Sequence, residues 1–256
     1  VKVVILAGGL GTRLAEETDV RPKPMVEVGG RPILWHIMKH YERYGHSEFL
    51  VALGYKGESI KRYFVEYAAL AGSLTISLED GGVSPIDRVH EHWTVSLIET
   101  GHDTNTGGRL ARLQPWIGSG AFMLTYGDGV SNVDIDSLLA FHTAHGKLAT
   151  VTAVRPPSRF GEMEIRDDGT ASFTEKPQMG AGWINGGFMV FEGAVLDMIA
   201  GDTASLEGEL LEELGASGQL VAYRHDDFWH CMDTLRDLRY LRGLWDAGAP
   251  PWVTWG

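Results

Sequence analysis

Near its start the chain passes from the apolar run Val3-Val4-Ile5-Leu6 straight into Ala7-Gly8-Gly9-Leu10-Gly11-Thr12-Arg13. A short run with no polar alternation suits a strand buried on both faces, and such strands belong to parallel sheets covered by helices on each side. Glycines in the segment that follows leave backbone N–H groups open to anionic oxygens. Arg13 closes the loop, and Lys23 stands between Pro22 and Pro24 shortly after it. A buried strand, a bare loop and two cations together point to a nucleoside triphosphate. The loop lacks the Gly-x-Gly-x-x-Gly spacing of dinucleotide sites and the Gly-Lys-Ser/Thr of the P-loop. The competing reading is an ordinary tight turn followed by a solvated loop lysine.

The pattern then alternates between helix and strand. Ile33, Leu34, Ile37, Met38, Tyr41 and Tyr44 recur at helical spacing, which predicts a helix over 32–44 with Gly45 as its stop. A strand at 49–53 and a helix at 58–70 follow, and this βαβα order implies a parallel sheet with right-handed crossovers. Further strands are predicted at 122–126, 149–154, 170–174, 187–191 and 220–224, with helices at 134–145 and 234–246. Leu74–Leu78 and Trp93–Glu99 alternate like strands around an irregular stretch, read as a β-rich excursion or a subunit contact. The expected fold is a single doubly wound α/β domain over residues 1–256, with a mostly parallel mixed sheet. It carries a β-rich excursion at about 73–99 and a helical C-terminal segment at about 234–256.

A formal net charge of −12 argues against a nucleic-acid partner. An acidic chain that binds polyphosphate has to gather its cations locally and recruit Mg²⁺, and Arg13, Arg21, Lys23 and Arg31 do cluster in sequence. A single cysteine, Cys231, excludes an internal disulfide and suits the reducing cytoplasm. No run approaches the roughly 18 apolar residues of a membrane helix, so no membrane partner is expected.

Magnesium takes hard oxygen ligands, usually one or two carboxylates plus substrate phosphates. Asp128, in Tyr126-Gly127-Asp128-Gly129, stands at the carboxyl end of a predicted strand, where open α/β sheets bind ligands. Asp233 precedes a predicted helix. The alternatives are a turn aspartate for Asp128 and an N-cap for Asp233. His142 with His145, and His230 with Cys231, lack the further ligands that zinc requires. Trp252 and Trp255 read as packing residues.

Taken in order, the opening string, Pro32-Ile33-Leu34-Trp35-His36, Thr106-Gly107-Gly108-Arg109, Tyr126-Gly127-Asp128-Gly129, Arg159-Phe160-Gly161, Glu175-Lys176-Pro177, Ile184-Asn185-Gly186-Gly187 and Met232-Asp233-Thr234 resemble the sugar-1-phosphate nucleotidylyltransferases. The resemblance extends over essentially the whole chain. It implies attack of a sugar 1-phosphate on the α-phosphorus of a triphosphate, with loss of pyrophosphate. Within the family the chain most resembles the branch that joins CTP to glucose 1-phosphate to give CDP-glucose. UTP, dTTP or another sugar phosphate are the alternatives, and a non-catalytic nucleotide-sugar sensor is a distant one. The attacking phosphate is already ionised, so no general base is required.

The resemblance implies nucleotide contacts from Leu6, Ala7, Gly8, Gly9, Gly11, Thr12, Arg13, Lys23, Thr104, Arg109 and Gly127. It implies sugar-phosphate contacts from Gly161, Glu175, Lys176, Asn185 and Gly186, and Mg²⁺ held by Asp128 and Asp233. It assigns the catalysis to Arg13, Lys23 and Asp128, with Arg13 expected on the leaving pyrophosphate and Lys23 at the α-phosphate. A homo-oligomer is also implied. Departures from the family pattern fall at Glu162-Met163-Glu164, at 203–214 and at Trp229-His230-Cys231.

Overall fold

Seven strands form the central sheet: β1 (Val3–Leu6), β2 (Glu48–Leu53), β3 (Thr94–Glu99), β4 (Phe122–Tyr126), β5 (Ala149–Val154), β6 (Ile184–Phe191) and β7 (Leu220–His225). The computed structural model describes residues 1–9, 14, 21–70, 72–86, 91–156, 162–165, 171–174 and 182–255. Strand order is β3-β2-β1-β4-β6-β5-β7. Neighbours pair in parallel except β6, which runs antiparallel to both β4 and β5. In register, Leu6 lies beside Ala52 and Tyr126, so β1, β2 and β4 end at the same level. The order reverses between β1 and β4, which makes their carboxyl ends a switch point of the kind where open sheets bind ligands.

The strand residues alternate between two cores because successive side chains leave opposite faces of a sheet. Val3, Ile5, Phe49, Val51 and Met123 pack on one face against α1 (Ile33–Arg43), α5 (Ile135–His145) and α7 (Leu235–Asp246). Ile60 of α2 (Gly57–Leu70) joins the same core. Val4, Leu6, Leu50, Phe122 and Leu124 pack on the other face against α3 (Thr106–Arg112), α4 (Gln114–Ile117) and the segment ending in α6 (Glu212–Ala216). Both faces are thus covered, as the unbroken apolar run of β1 requires.

Several expectations needed correction. Thr94–Glu99 pairs in parallel with Glu48–Leu53 and forms an edge of the main sheet, so the excursion reduces to the hairpin Leu74–Ile76 with Val83–Pro85. The C-terminal helix ends at Asp246, as its spacing predicts, but the helical segment expected to reach 256 gives way there to a turn that buries Trp252 in the core. Helix α3 escaped prediction because its glycines are poor helix formers. Packing explains them: a Cβ on Gly107 would lie 2.8 Å from the Ala204 carbonyl oxygen, and one on Gly108 2.4 Å from that of Asp202.

Two fully covered histidines of α1 tie the helix to its surroundings. His36 Nε2 donates to Val28 O at 2.9 Å, and its Nδ1 accepts from Trp252 Nε1 at 3.3 Å. His40 Nε2 donates to Val133 O at 2.9 Å and faces the Thr254 hydroxyl with Nδ1. These partners suit neutral rings, and burial pushes both imidazoles down to about 4. In the unfolded chain each titrates near 6.5, so below that pH the unfolded state holds more protons. Stability is therefore retained above pH 6.5 and falls as pH drops toward 4, by roughly 3 kcal/mol for each ring. Urea titrations at pH 7, 6, 5 and 4.5 will register the decline. A flat profile would remove the neutral-histidine account.

Candidate active site

Two adjoining cavities open at the carboxyl ends of β1 and β4. The larger, about 760 Å³, is lined by Leu6, Ala7, Gly8, Gly9, Lys23, Thr104, Arg109, Gly127, Asp128 and Asp233. These were singled out in the sequence; His102, Asp103, Asn105 and Thr203, which also line it, were not. The smaller, about 230 Å³, is lined by Asn185, Gly186, Trp229 and Cys231 and shares Tyr126, Asp128 and Asp233 with the larger. Leu10–Arg13, Gly161, Glu175 and Lys176 lie outside the described residues, so the expectations for Gly11, Thr12, Arg13, Gly161, Glu175 and Lys176 fall there too.

Local chemistry builds the junction of the cavities. Pro22, extended and with φ preset by its ring, leads into a 3₁₀ turn at Lys23–Met25. That turn packs on Gly127, where a Cβ would come 2.9 Å from Pro24 Cγ and 3.1 Å from Leu6 O. Gly127 therefore has to be glycine for the two loops to approach. Asp128 and Asp233 meet through a two-stranded ribbon: Gly129–Ser131 pairs antiparallel with Trp229–Cys231, and Met232 N donates to Asp128 O at 2.9 Å.

The helix cap decides what Asp233 does. Thr234, not Asp233, is the N-cap of α7; its side chain accepts from Asp237 N, and the Asp237 carboxylate accepts from Thr234 N at 2.8 Å and Asp233 N at 3.1 Å. A reciprocal capping box of this kind satisfies the helix end and leaves the Asp233 side chain free of that task. It turns to Lys23 instead. Lys23 Nζ donates to Asp128 Oδ2 at 2.6 Å and, more closely still, to Asp233 Oδ1. Burial works against the charge on Lys23, but the Asp128 charge and bonds from both carboxylates outweigh it. The ammonium is held well above the ordinary lysine range. One oxygen from each carboxylate and Cys231 Sγ lie within 4.8 Å of one another. Burial, followed by the charge of Asp128, pushes the thiol up, so it stays protonated. The two carboxylates supply the hard oxygen donors that magnesium takes, and an ammonium already occupies the point between them, so these residues fit a divalent cation.

Arg109, expected to contact the nucleotide, lines the larger cavity and also bonds the loops around it. Its guanidinium donates to the carbonyls of Leu53 (3.1 Å), Gly101 (2.7 Å), Gly8 (3.0 Å) and His102 (3.1 Å) and to Thr100 Oγ1 (2.8 Å). Among the described residues it forms no ion pair, and burial lowers its pKa. Gly8 and Gly54 are small because a Cβ on either would sit about 2.5 Å from this guanidinium. Arg109 thus holds the glycine loop from behind while a positive charge lines the cavity.

Sequence reasoning passed over Tyr126, Trp229 and Cys231 as site residues. Tyr126 lay in plain view within Tyr-Gly-Asp-Gly. Trp229 Nε1 donates to Gly186 O at 2.7 Å, a contact between distant segments that no local pattern announces. His142, by contrast, is buried and bonded to Thr150 Oγ1 at 2.8 Å, a packing role.

An open α/β sheet with its cavity at the β1–β4 switch point defines the class: a Rossmann-like ligand-binding protein. The nucleotidyl transferase family model matches residues 2–243, and the chain belongs to that family. It is 49% identical over 256 residues, spanning both chains completely, to the glucose-1-phosphate cytidylyltransferase of Salmonella typhimurium. The glucose-1-phosphate cytidylyltransferase of Salmonella typhi is 48% identical over the same span. The solved structure of HddC from Yersinia pseudotuberculosis shares the fold with a TM-score of 0.71 at 23% identity, covering 95% of this chain and 99% of that one.

Proposed function

We propose that the protein transfers the cytidylyl group of CTP to the phosphate of glucose 1-phosphate, giving CDP-glucose and pyrophosphate. The observation that carries this reading is Lys23, held between Asp128 and Asp233 where the two cavities join. The larger cavity takes the nucleotide along Leu6–Gly9, with Thr104 and Gly127 beside it, and the smaller takes the sugar phosphate against Asn185 and Gly186. A phosphate oxygen of the sugar attacks the α-phosphorus, the α–β phosphoanhydride bond breaks, and its electrons leave with pyrophosphate. Both partners are anionic, so alignment and charge neutralisation supply most of the catalysis. Lys23 offsets the charge that grows on the α-phosphoryl oxygens. Arg109 keeps the Gly8 carbonyl drawn back, so that the loop presents its N–H groups to phosphate. Asp128 and Asp233 would hold Mg²⁺, which when bound neutralises phosphate charge. Arg13 on the pyrophosphate, and Gly161, Glu175 and Lys176 on the sugar phosphate, complete the reading.

Exposed Ile76, Leu78, Val83 and Ile86 on the hairpin of residues 74–86 support self-association of the chain. None of the described helices is long and apolar enough to cross a membrane. A reducing cytoplasm suits the single cysteine.

A pyrophosphate-release panel tests the reading. CTP, UTP, dTTP, ATP and GTP are each paired with several hexose 1-phosphates, with and without Mg²⁺. CTP with glucose 1-phosphate is expected to be the best pair, and to need the metal. A different best pair would keep the chemistry and discard these substrates, and silence in every well would discard both.

A further inference from the structure

Glu207 sits in a π-helical turn, Leu206–Leu211. Its carboxylate accepts from three hydroxyls: Tyr126 at 2.5 Å, Thr106 at 2.9 Å and Ser205 at 3.3 Å. Thr106 opens α3 and lines the larger cavity; its hydroxyl oxygen also accepts from Leu206 N at 2.9 Å. Tyr126 closes β4 and lines both cavities. The Tyr126 oxygen accepts from Asn185 Nδ2 at 3.3 Å, and Asn185 Oδ1 accepts from Gly187 N at 2.8 Å. Gly187 has φ +80°, where the β6 backbone bends beside the smaller cavity. One line of hydrogen bonds therefore joins the mouth of the nucleotide cavity to the wall of the sugar cavity.

Resting on the two-substrate reading above, we propose that Glu207 is a positioning residue that sets the sugar-phosphate cavity in register with the nucleotide cavity through Tyr126 and Asn185. The physical reason is the in-line reaction. Its two substrates lie against different walls, and a displacement near 1 Å costs on the order of a hundredfold in rate. Tyr126 has one proton to give and gives it to Glu207, so its oxygen faces Asn185 as an acceptor. That orients the amide with Nδ2 toward Tyr126 and Oδ1 toward Gly187. Burial, and then the Glu207 charge, keep the phenol protonated and the line intact. A π-helical turn is an uncommon local structure that recurs at functional sites, and here it brings Glu207 within reach of both α3 and β4.

The test uses the intact protein and the variants Glu207→Ala, Glu207→Gln and Tyr126→Phe. CTP affinity is read by calorimetry without sugar phosphate, thermal midpoints by circular dichroism, and kcat and the KM for glucose 1-phosphate by pyrophosphate release. Glu207→Ala and Tyr126→Phe are expected to raise that KM about fivefold or more and to lower kcat about tenfold, with the CTP affinity of Glu207→Ala kept within about twofold. Glu207→Gln, which keeps an acceptor for Tyr126, restores most of kcat. The double variant Glu207→Ala with Tyr126→Phe is no worse than either alone. Unchanged kinetics in Glu207→Ala, or CTP affinity and melting temperature that fall in step with kcat, would overturn the proposal. A wild-type chain silent with every substrate pair sinks the functional reading beneath it, a result distinct from an active wild type with an indifferent Glu207.

Discussion

Lys23→Ala is expected to cut turnover by up to about a thousandfold and to leave the fold intact. The factor is that of a charge-stabilising donor removed from a reacting centre. The ammonium is largely covered, at 13% side-chain exposure, and both of its anionic partners reach it from separate segments. Its removal takes from Asp128 and Asp233 the ammonium that both carboxylates grip. Mg²⁺ or Mn²⁺ then no longer competes with that ammonium, so metal affinity in the nucleotide-free protein is expected to rise even as catalysis is lost. Manganese titration followed by electron paramagnetic resonance measures the first effect and pyrophosphate release the second. Lys23→Arg does not rescue, since a planar fork cannot replace a point charge seated between two carboxylates. Activity within tenfold of wild type in Lys23→Ala would remove Lys23 from the reaction.

Asp128→Asn is expected to cut turnover by roughly a hundred- to a thousandfold, in the range of other lost electrostatic contacts at a reacting centre. The substitution keeps the shape of the side chain, and the bond from Met232 N to the Asp128 carbonyl does not involve it. Lys23 retains Asp233, so the junction stays closed and the melting temperature moves by only a few degrees. What is lost, on the proposed reading, is one hard anionic ligand for Mg²⁺. The Mg²⁺ concentration for half-maximal activity should therefore rise along with the fall in kcat. A small loss of rate with an unaltered magnesium requirement would show that Asp128 is no metal ligand.

The legible part of this molecule is its strand-and-helix alternation. The strands at 48–53, 94–99, 122–126, 149–154 and 220–225, and the helices α1, α2, α5 and α7, lie within a few residues of where periodicity puts them. Each is long enough, and apolar enough on its buried face, for local pattern to report tertiary burial. The illegible part is held by contacts between remote segments. Helix α3 forms against its own propensity because Gly107 and Gly108 let it approach the backbone at Asp202 and Ala204. Strand β6 reads as one more inner strand, and nothing in its side chains states that it runs antiparallel. In the site, Lys23, Asp128 and Asp233 were readable as residue types in a family order. The competing N-cap reading of Asp233 fell only when Thr234 and Asp237 were seen to share the cap.

By itself, the sequence determined the α/β class, the glycine loop after β1 and the residues that bear charge and oxygen donors, since these follow from local pattern and side-chain chemistry. The tertiary structure alone decided that two aspartates more than a hundred positions apart would grip one ammonium. A ribbon of two three-residue strands brings them together, too short for any periodicity to reveal. It also decided that Arg109 would spend its guanidinium on carbonyl oxygens of the loops around it. Hydrogen-bond partners are settled by which groups are left unsatisfied once the backbone is in place, and that accounting exists only in the folded chain.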